Sequence, residues 1–259
     1  MSLGKLYGIG VGPGAPDLVT LRAYELLRRL PVLAVPRPNA YSPSLAFRII
    51  EPHLRTDGEQ KHLYLEFPMT KDPDILVPAW AKAFLAIETE LEAGRDVGFV
   101  TQGDPFIYST FIYVYESLKA KYPELVIEVV PGVTSIAAVP MVAGVPLVDG
   151  QERLAVIPAS YGTEELRSIL RSFDSIVLMK VASVMETVVD LLEEEDLLDC
   201  AYYVERATTS EQRIVRDLRE LRGNRCIYFS MVVVSKKRRN GVLRGHHVSK
   251  EPVSLGALL

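Results

Sequence analysis

The sequence predicts an α/β protein made of two α/β domains, with a mostly parallel sheet in the N-terminal domain and a mixed sheet in the C-terminal one. Strand-like apolar runs alternate with helical patterns as far as residue 143, which is typical of a parallel sheet covered by helices. Residues 144–150 break this rhythm, and a less regular alternation follows them. We therefore expect domains at residues 1–146 and 147–259.

The first domain shows five strand and five helix patterns in strict alternation. Strands are predicted at residues 5–11, 32–35, 61–67, 96–100 and 125–130, and helices at residues 18–30, 44–54, 73–93, 106–121 and 135–143. Asp104 followed by Pro105 favours a helix start, because aspartate accepts hydrogen bonds at the N-cap and proline suits the first helical position.

The second domain has a less regular pattern. Strands are predicted at residues 154–157, 175–179, 201–204 and 227–234, and helices at residues 163–172 and 183–195. Residues 211–221 are compatible with a helix or a strand. The basic segment 236–241 ends in Asn-Gly, which predicts an exposed hairpin turn.

Composition limits the possible partners. The chain has 259 residues and a formal net charge of −4, so nothing in its charge suggests a nucleic-acid partner. Its two cysteines and four histidines lack metal-binding spacing, and no protein-bound metal is expected. No apolar run approaches the length of a membrane helix, and the N-terminus lacks the features of a signal peptide. We expect a cytoplasmic protein without a membrane partner.

The loops that follow strands are the candidate ligand sites, because α/β sheets bind ligands at the carboxyl ends of their strands. The first loop has glycines at every second position from Gly8 to Gly14. A dinucleotide fingerprint needs a further glycine where Pro13 or Ala15 stands and an acidic residue where Arg37 ends the next strand. The glycines indicate instead a loop whose backbone a ligand or a neighbouring loop approaches closely. An NADP site using Arg37 and a tight turn without a ligand role are the alternatives.

Three loops together resemble those of the tetrapyrrole (uroporphyrinogen III type) methyltransferases. They are the glycine-rich loop with residues 18–20 (Leu-Val-Thr), the Gly-Asp-Pro of residues 103–105 and the Pro-Gly-Val-Thr-Ser of residues 131–135. Four further segments are similar to the precorrin-2 C-20 methyltransferases of cobalamin synthesis: residues 35–37, 108–110, 177–180 and 205–209 with Gln212.

This resemblance implies methyl transfer from S-adenosylmethionine to C-20 of precorrin-2 or cobalt-precorrin-2, with S-adenosylhomocysteine as product. It also implies a homodimer in which the cofactor lies in a cleft between the two domains. The implied cofactor contacts are Pro13, Gln102, Gly103, Asp104, Ile107, Thr134, Ser135, Met179 and Ala207, and the implied substrate contacts are Arg37, Tyr108, Ser109 and Thr110.

Several of these residues have structural alternatives, since Asp104, Thr134 and Ser135 also suit helix caps. Many relatives carry an acidic residue where this chain has Ala15, so no acid-base role is assigned there. Methyl transfer in one displacement step depends mainly on positioning, and the sequence identifies no catalytic residue. Methylation of another ring position, an NADP-dependent oxidoreductase and a tetrapyrrole-binding protein without chemistry are the alternative functions.

Overall fold

The computed structural model describes residues 2–56, 58–70 and 72–237. Within these residues the strands are β1 (Leu6–Gly10), β2 (Val32–Arg37), β3 (Lys61–Glu66), β4 (Val97–Thr101), β5 (Ile127–Val130), β6 (Leu154–Pro158), β7 (Ser175–Met179), β8 (Ala201–Glu205), β9 (Arg213–Val215) and β10 (Ser230–Ser235). The α-helices are α1 (Leu21–Arg29), α2 (Leu45–Ile50), α3 (Pro73–Glu92), α4 (Phe111–Lys121), α5 (Ser135–Ala143), α6 (Thr163–Ser172) and α7 (Met185–Glu194). Short 3-10 turns lie at Pro16–Leu18, Glu51–His53, Val181–Ser183, Leu198–Cys200 and Leu218–Leu221.

The first sheet contains β1 to β5 in the order β3-β2-β4-β1-β5, and every neighbouring pair is parallel. All five residues of β1 are buried, as expected for a strand covered on both faces. Helices α1 and α2 pack on one face through residues such as Leu26 and Ile49. Helices α3 and α4 cover the other face, where Ile87 and Phe111 are fully buried. The predicted parallel sheet is confirmed.

The second sheet has the order β6-β7-β10-β8-β9. Strands β6 and β7 are parallel, whereas the other pairs are antiparallel, so the predicted mixed sheet is also confirmed. Helices α6 and α7 cover one face. Helix α5 packs on the other face, where Val139 and Ala143 contact a cluster that includes Val177, Val204 and Val233.

Helix α5 therefore follows the last strand of the first sheet but contributes to the core of the second. The chain passes from one sheet to the other between Val130 and Leu154. Hydrogen bonds fix the connecting segment to the second sheet, since Ser235 Oγ donates to the carbonyl of Pro146 at 2.9 Å. The exact domain boundary at residues 146 and 147 stays a prediction.

The predicted helix start at Asp104 and Pro105 is wrong. Helix α4 begins at Phe111, and Asp104 lies in a non-helical turn before it. Its carboxylate accepts hydrogen bonds from the backbone N–H groups of Phe106 at 2.9 Å and Gly132 at 3.2 Å. The second bond joins two loops that are distant in sequence, so tertiary contacts determine the conformation that local propensity alone would make helical.

Other elements differ from the prediction mainly at their ends. Helix α1 begins at Leu21 because Thr20 caps it, its side chain accepting from the N–H of Ala23 at 3.2 Å. The segment that suited either a helix or a strand contains both β9 and a 3-10 turn. Of the predicted basic hairpin, only Lys236 and Lys237 are described, and its Asn-Gly turn lies outside the described residues. None of the helices in the described ranges is both long and apolar enough to span a membrane.

Candidate functional site

Three loops meet at the carboxyl edge of the first sheet, because β1 lies between β4 and β5. The N–H of Gly103 donates to the carbonyl of Gly12 at 2.7 Å, and the Gln102 side-chain amide donates to the carbonyl of Pro13 at 2.9 Å. The Asp104 carboxylate joins the third loop through its bond from Gly132 N–H. The loops after β1, β4 and β5 thus form one hydrogen-bonded unit.

Glycine is required where these loops touch. A Cβ added to Gly10 would lie 2.5 Å from the Gly132 nitrogen and 2.7 Å from the Gly103 carbonyl oxygen, so no side chain fits there. Gly103 also has a φ of 70°. The sequence predicted a close approach to the glycine-rich loop, and neighbouring loops make that approach.

The second sheet provides the opposite wall of the site. The loop after β8 approaches the first loop so closely that a Cβ at Gly14 would lie 2.8 Å from the Ala207 carbonyl oxygen. The N–H of Ala15 donates to Thr208 Oγ1 at 3.0 Å. Ala15 therefore lies at a contact between the two halves of the molecule.

A cleft of about 300 Å³ lies between these walls, at the lower end of the usual size for small-molecule sites, roughly 300–1,000 Å³. It contains all nine residues that were expected around the cofactor: Pro13, Gln102, Gly103, Asp104, Ile107, Thr134, Ser135, Met179 and Ala207. These residues come from five separate segments of the chain, from Pro13 to Ala207, at or next to the ends of five strands. Their specific roles stay a prediction, but their convergence on one cavity is a property of the fold.

The residues expected to contact substrate are more scattered. Tyr108 lines the cleft, but Ser109 is buried beneath it, where its hydroxyl lies 2.9 Å from Thr101 Oγ1 and accepts from Phe111 N–H. Thr110 occupies the N-cap position of α4. Arg37 lines a neighbouring cavity, and its guanidinium forms an ion pair with Glu66 at 3.2 Å. The substrate roles of these residues stay predictions.

Charged and aromatic residues that were not among the expected site residues also line the cleft. They are Arg48, Lys180, Arg206, Glu211, Tyr228 and Phe229. Partial burial raises the pKa of Tyr228 above its ordinary value. The position of Lys180 and Arg206 immediately after strands β7 and β8 was the signal that would have suggested them.

Three residues that line the cleft have a strained backbone conformation. Tyr108, Lys180 and Arg206 adopt left-handed conformations, with φ of 51°, 56° and 48°. This conformation is uncommon for residues other than glycine and is enriched at functional sites, where the surrounding structure maintains it. In the part of the chain that the structure describes, no group of three or more histidine, cysteine or acidic residues is arranged to hold a metal ion.

The fold and the candidate site define a two-domain α/β protein with a cleft formed at the strand ends of both sheets. Residues 5–221 match the family model described as Tetrapyrrole (Corrin/Porphyrin) Methylases. The chain belongs to this methyltransferase family.

Individual relatives extend over most of the chain. A cobalt-precorrin-2 C(20)-methyltransferase of Salmonella typhimurium is 38% identical over 236 residues, covering 90% of this chain and 97% of that protein. A precorrin-2 C(20)-methyltransferase of a Sinorhizobium species is 30% identical, covering 90% and 96%. The uroporphyrin-III C-methyl transferase of Thermus thermophilus, solved in complex with S-adenyl homocysteine, has a similar fold with a TM-score of 0.66 at 22% identity, covering 90% of this chain and 98% of that one.

Replacement of Asp104 by alanine should destabilise the loop unit. The change removes two hydrogen bonds from backbone N–H groups to a carboxylate, and we expect the free energy of unfolding to fall by about 1–3 kcal/mol. Asp72→Ala is a matched control, since Asp72 caps α3 through the N–H of Asp74, away from the cleft. Urea denaturation should show a loss in both variants. Amide hydrogen exchange at Gly132 should accelerate only in Asp104→Ala, and unchanged exchange there would contradict this role.

Proposed function

We propose that this protein transfers a methyl group from S-adenosylmethionine to C-20 of cobalt-precorrin-2 in cobalamin biosynthesis, with S-adenosylhomocysteine as the second product. The observation that carries the proposal is the convergence of all nine expected cofactor residues on one cleft. Family membership and the Salmonella relative support the reaction class. The higher identity to that relative than to the Sinorhizobium one favours the cobalt-containing substrate.

The chemistry of the cleft fits S-adenosylmethionine, which combines a planar base, a ribose, a sulfonium and an amino-acid end. Ile107, Met179 and Ala207 provide apolar surface for the base and the carbon chain. Ser135 offers a hydroxyl with no hydrogen-bond partner among the described residues, and the Asp104 carboxylate brings negative charge to a cavity that would receive a positive ligand. The bound cofactor supplies the methyl group from its sulfonium.

The protein contributes to the reaction mainly by positioning the two reactants. Loops fixed to both sheets hold the two reactants in one orientation, and alignment of this kind can supply roughly 7–11 kcal/mol of a reaction barrier. Transfer requires a carbon acceptor in line with the departing methyl group and loss of the proton from that carbon. Ala15 carries no group that accepts this proton, and its N–H is already bonded to Thr208.

The alternatives are less well supported. An NADP-dependent oxidoreductase would use Arg37 for the extra phosphate, but Arg37 pairs with Glu66 and hydrogen-bonds the Ala40 carbonyl in a separate cavity. Methylation at another ring position would use the same cleft, and a tetrapyrrole-binding protein without chemistry would leave the substrate mass unchanged. The identity of the methylated product distinguishes both from the proposed reaction.

The resemblance also suggests a homodimer located in the cytoplasm, and we include both in the proposal. Light scattering should give the mass of two chains, and a monomer mass would contradict the dimer. Fractionation of the source cells tests the location.

Ser135→Ala should weaken cofactor binding with little effect on stability. The hydroxyl lines the cleft and makes no intramolecular hydrogen bond within the described part of the chain, so the variant loses only a bond to ligand, worth about 0.5–1.5 kcal/mol or roughly two- to twelvefold in affinity. Calorimetry with S-adenosylhomocysteine measures this loss. Ser168→Ala, on the exposed side of α6, is the control. The cofactor assignment fails if the parent protein does not bind the ligand.

The reaction itself is tested by incubating the protein with S-adenosylmethionine and either precorrin-2 or cobalt-precorrin-2. We expect the cobalt form to gain the mass of one methyl group in place of hydrogen, and nuclear magnetic resonance should place it at C-20. A faster reaction of the metal-free form would reverse the assignment of substrate. Methylation elsewhere on the ring would reject the C-20 proposal.

A further inference from the structure

The charged side chains that line the cleft differ in whether they already have a partner. The cavity has three cationic side chains, Arg48, Lys180 and Arg206, and two anionic ones, Asp104 and Glu211. Both oxygens of Asp104 accept backbone hydrogen bonds, whereas Glu211 forms an ion pair with Arg206 at 3.0 Å. Arg48 and Lys180 are left without an anionic partner among the residues that the structure describes.

Arg48 belongs to the first half of the molecule. It lies in the last turn of α2 and lines both the cleft and the neighbouring cavity that contains Arg37. A lone arginine at a helix C-terminus is often only a favourable partner of the helix dipole. At this position, however, it adds an uncompensated guanidinium to the boundary of two adjoining cavities, where its planar group suits bidentate recognition of a carboxylate.

Lys180 belongs to the second half and follows β7 directly. Its left-handed backbone is unusual for lysine, and its ammonium group lies 5.7 Å from the centroid of the Tyr108 ring. The Tyr108 hydroxyl in turn donates to the carbonyl oxygen of Val156 at 3.4 Å. Tyr108 of the first half therefore contacts both Lys180 and Val156 of the second half at the cleft. The aromatic contact orients the ammonium group without neutralising its charge.

We infer that Arg48 and Lys180 form a carboxylate clamp, in which cations from the two halves of the cleft bind acidic side chains at the periphery of the substrate. The clamp rests on the proposed function, because it supposes a macrocycle that carries carboxylates. It assigns substrate orientation to two residues other than Arg37, whose charge is already paired with Glu66. Both are positioning residues and act on no reacting atom.

The clamp predicts a selective loss of tetrapyrrole binding. Arg48→Gln and Lys180→Gln should each raise the KM for the tetrapyrrole about three- to tenfold and leave the KM for S-adenosylmethionine within twofold, because each removes one partly exposed charge pair. Lys180→Arg should retain most of the affinity, and Arg48→Lys should retain part of it, because lysine keeps the charge but not the planar bidentate group. The salt dependence of binding should be weaker in the two glutamine variants, since fewer charges remain to be screened.

Matched controls exclude a general effect of charge. Arg29→Gln removes a cation from the last turn of α1, and Lys82→Gln removes one from α3, and neither residue lines the cleft. Both controls should behave as the parent protein. Equal losses in the controls and in the clamp variants would overturn the proposal.

A direct binding measurement separates the clamp from the proposed reaction. Fluorescence titration with uroporphyrin III, and with a porphyrin whose carboxylates are capped as amides, requires no methyl transfer. The parent should prefer the carboxylate form, and the glutamine variants should lose that preference. If the parent shows no preference, or the variants keep it, the clamp is refuted. Absence of methyl transfer with the clamp preference intact would refute only the proposed reaction.

Discussion

The close approach of three backbone segments at Gly10, Gly103 and Gly132 is the constraint on which the rest of the site depends. A parallel sheet brings the carboxyl ends of β1, β4 and β5 to one edge, but only segments without side chains can approach as closely as they do here. Hydrogen bonds then hold them, directly from Gly103 to Gly12 and through the Asp104 carboxylate to Gly132. This wall of the cleft is therefore a product of backbone packing rather than a set of independent loops.

Helix α5 links the second half of the molecule to the first. This helix begins at the third of the joined loops, where Thr134 caps it, and its apolar face packs on the second sheet. Helix α5 therefore links the joined loops to the second sheet, which carries Met179 and leads to Ala207 on the far wall. The hydrogen bond from the Ala15 N–H to Thr208 Oγ1 is a second link between the two halves of the molecule. The cleft width is thus determined by packing on both sides.

Sequence patterns predicted most of this architecture because they report burial. The continuous apolar strands required two covered faces, and the alternation of strands and helices required parallel connections. The prediction failed where distant groups compete with local propensity. Asp104 carries a strong helix-start signal, yet the N–H of Gly132, 28 positions away, takes one of its oxygens. The residues expected around the cofactor were predicted through resemblance, and their convergence on one cleft is observed, whereas Arg48 resembles any solvated cation at the end of a helix.

The left-handed backbone at Tyr108 and Lys180 determines where a positive charge lies in the cleft. Each conformation costs of order 1–3 kcal/mol, and neither residue is a glycine that would adopt it freely. Their side chains meet across the two halves, and this contact offsets part of the energetic cost of the two backbone conformations. In an extended conformation, the chain after β7 would direct the Lys180 side chain differently from its present position over the ring. The strain therefore serves to position an ammonium group at the cleft, and the same contact helps to hold the two halves together.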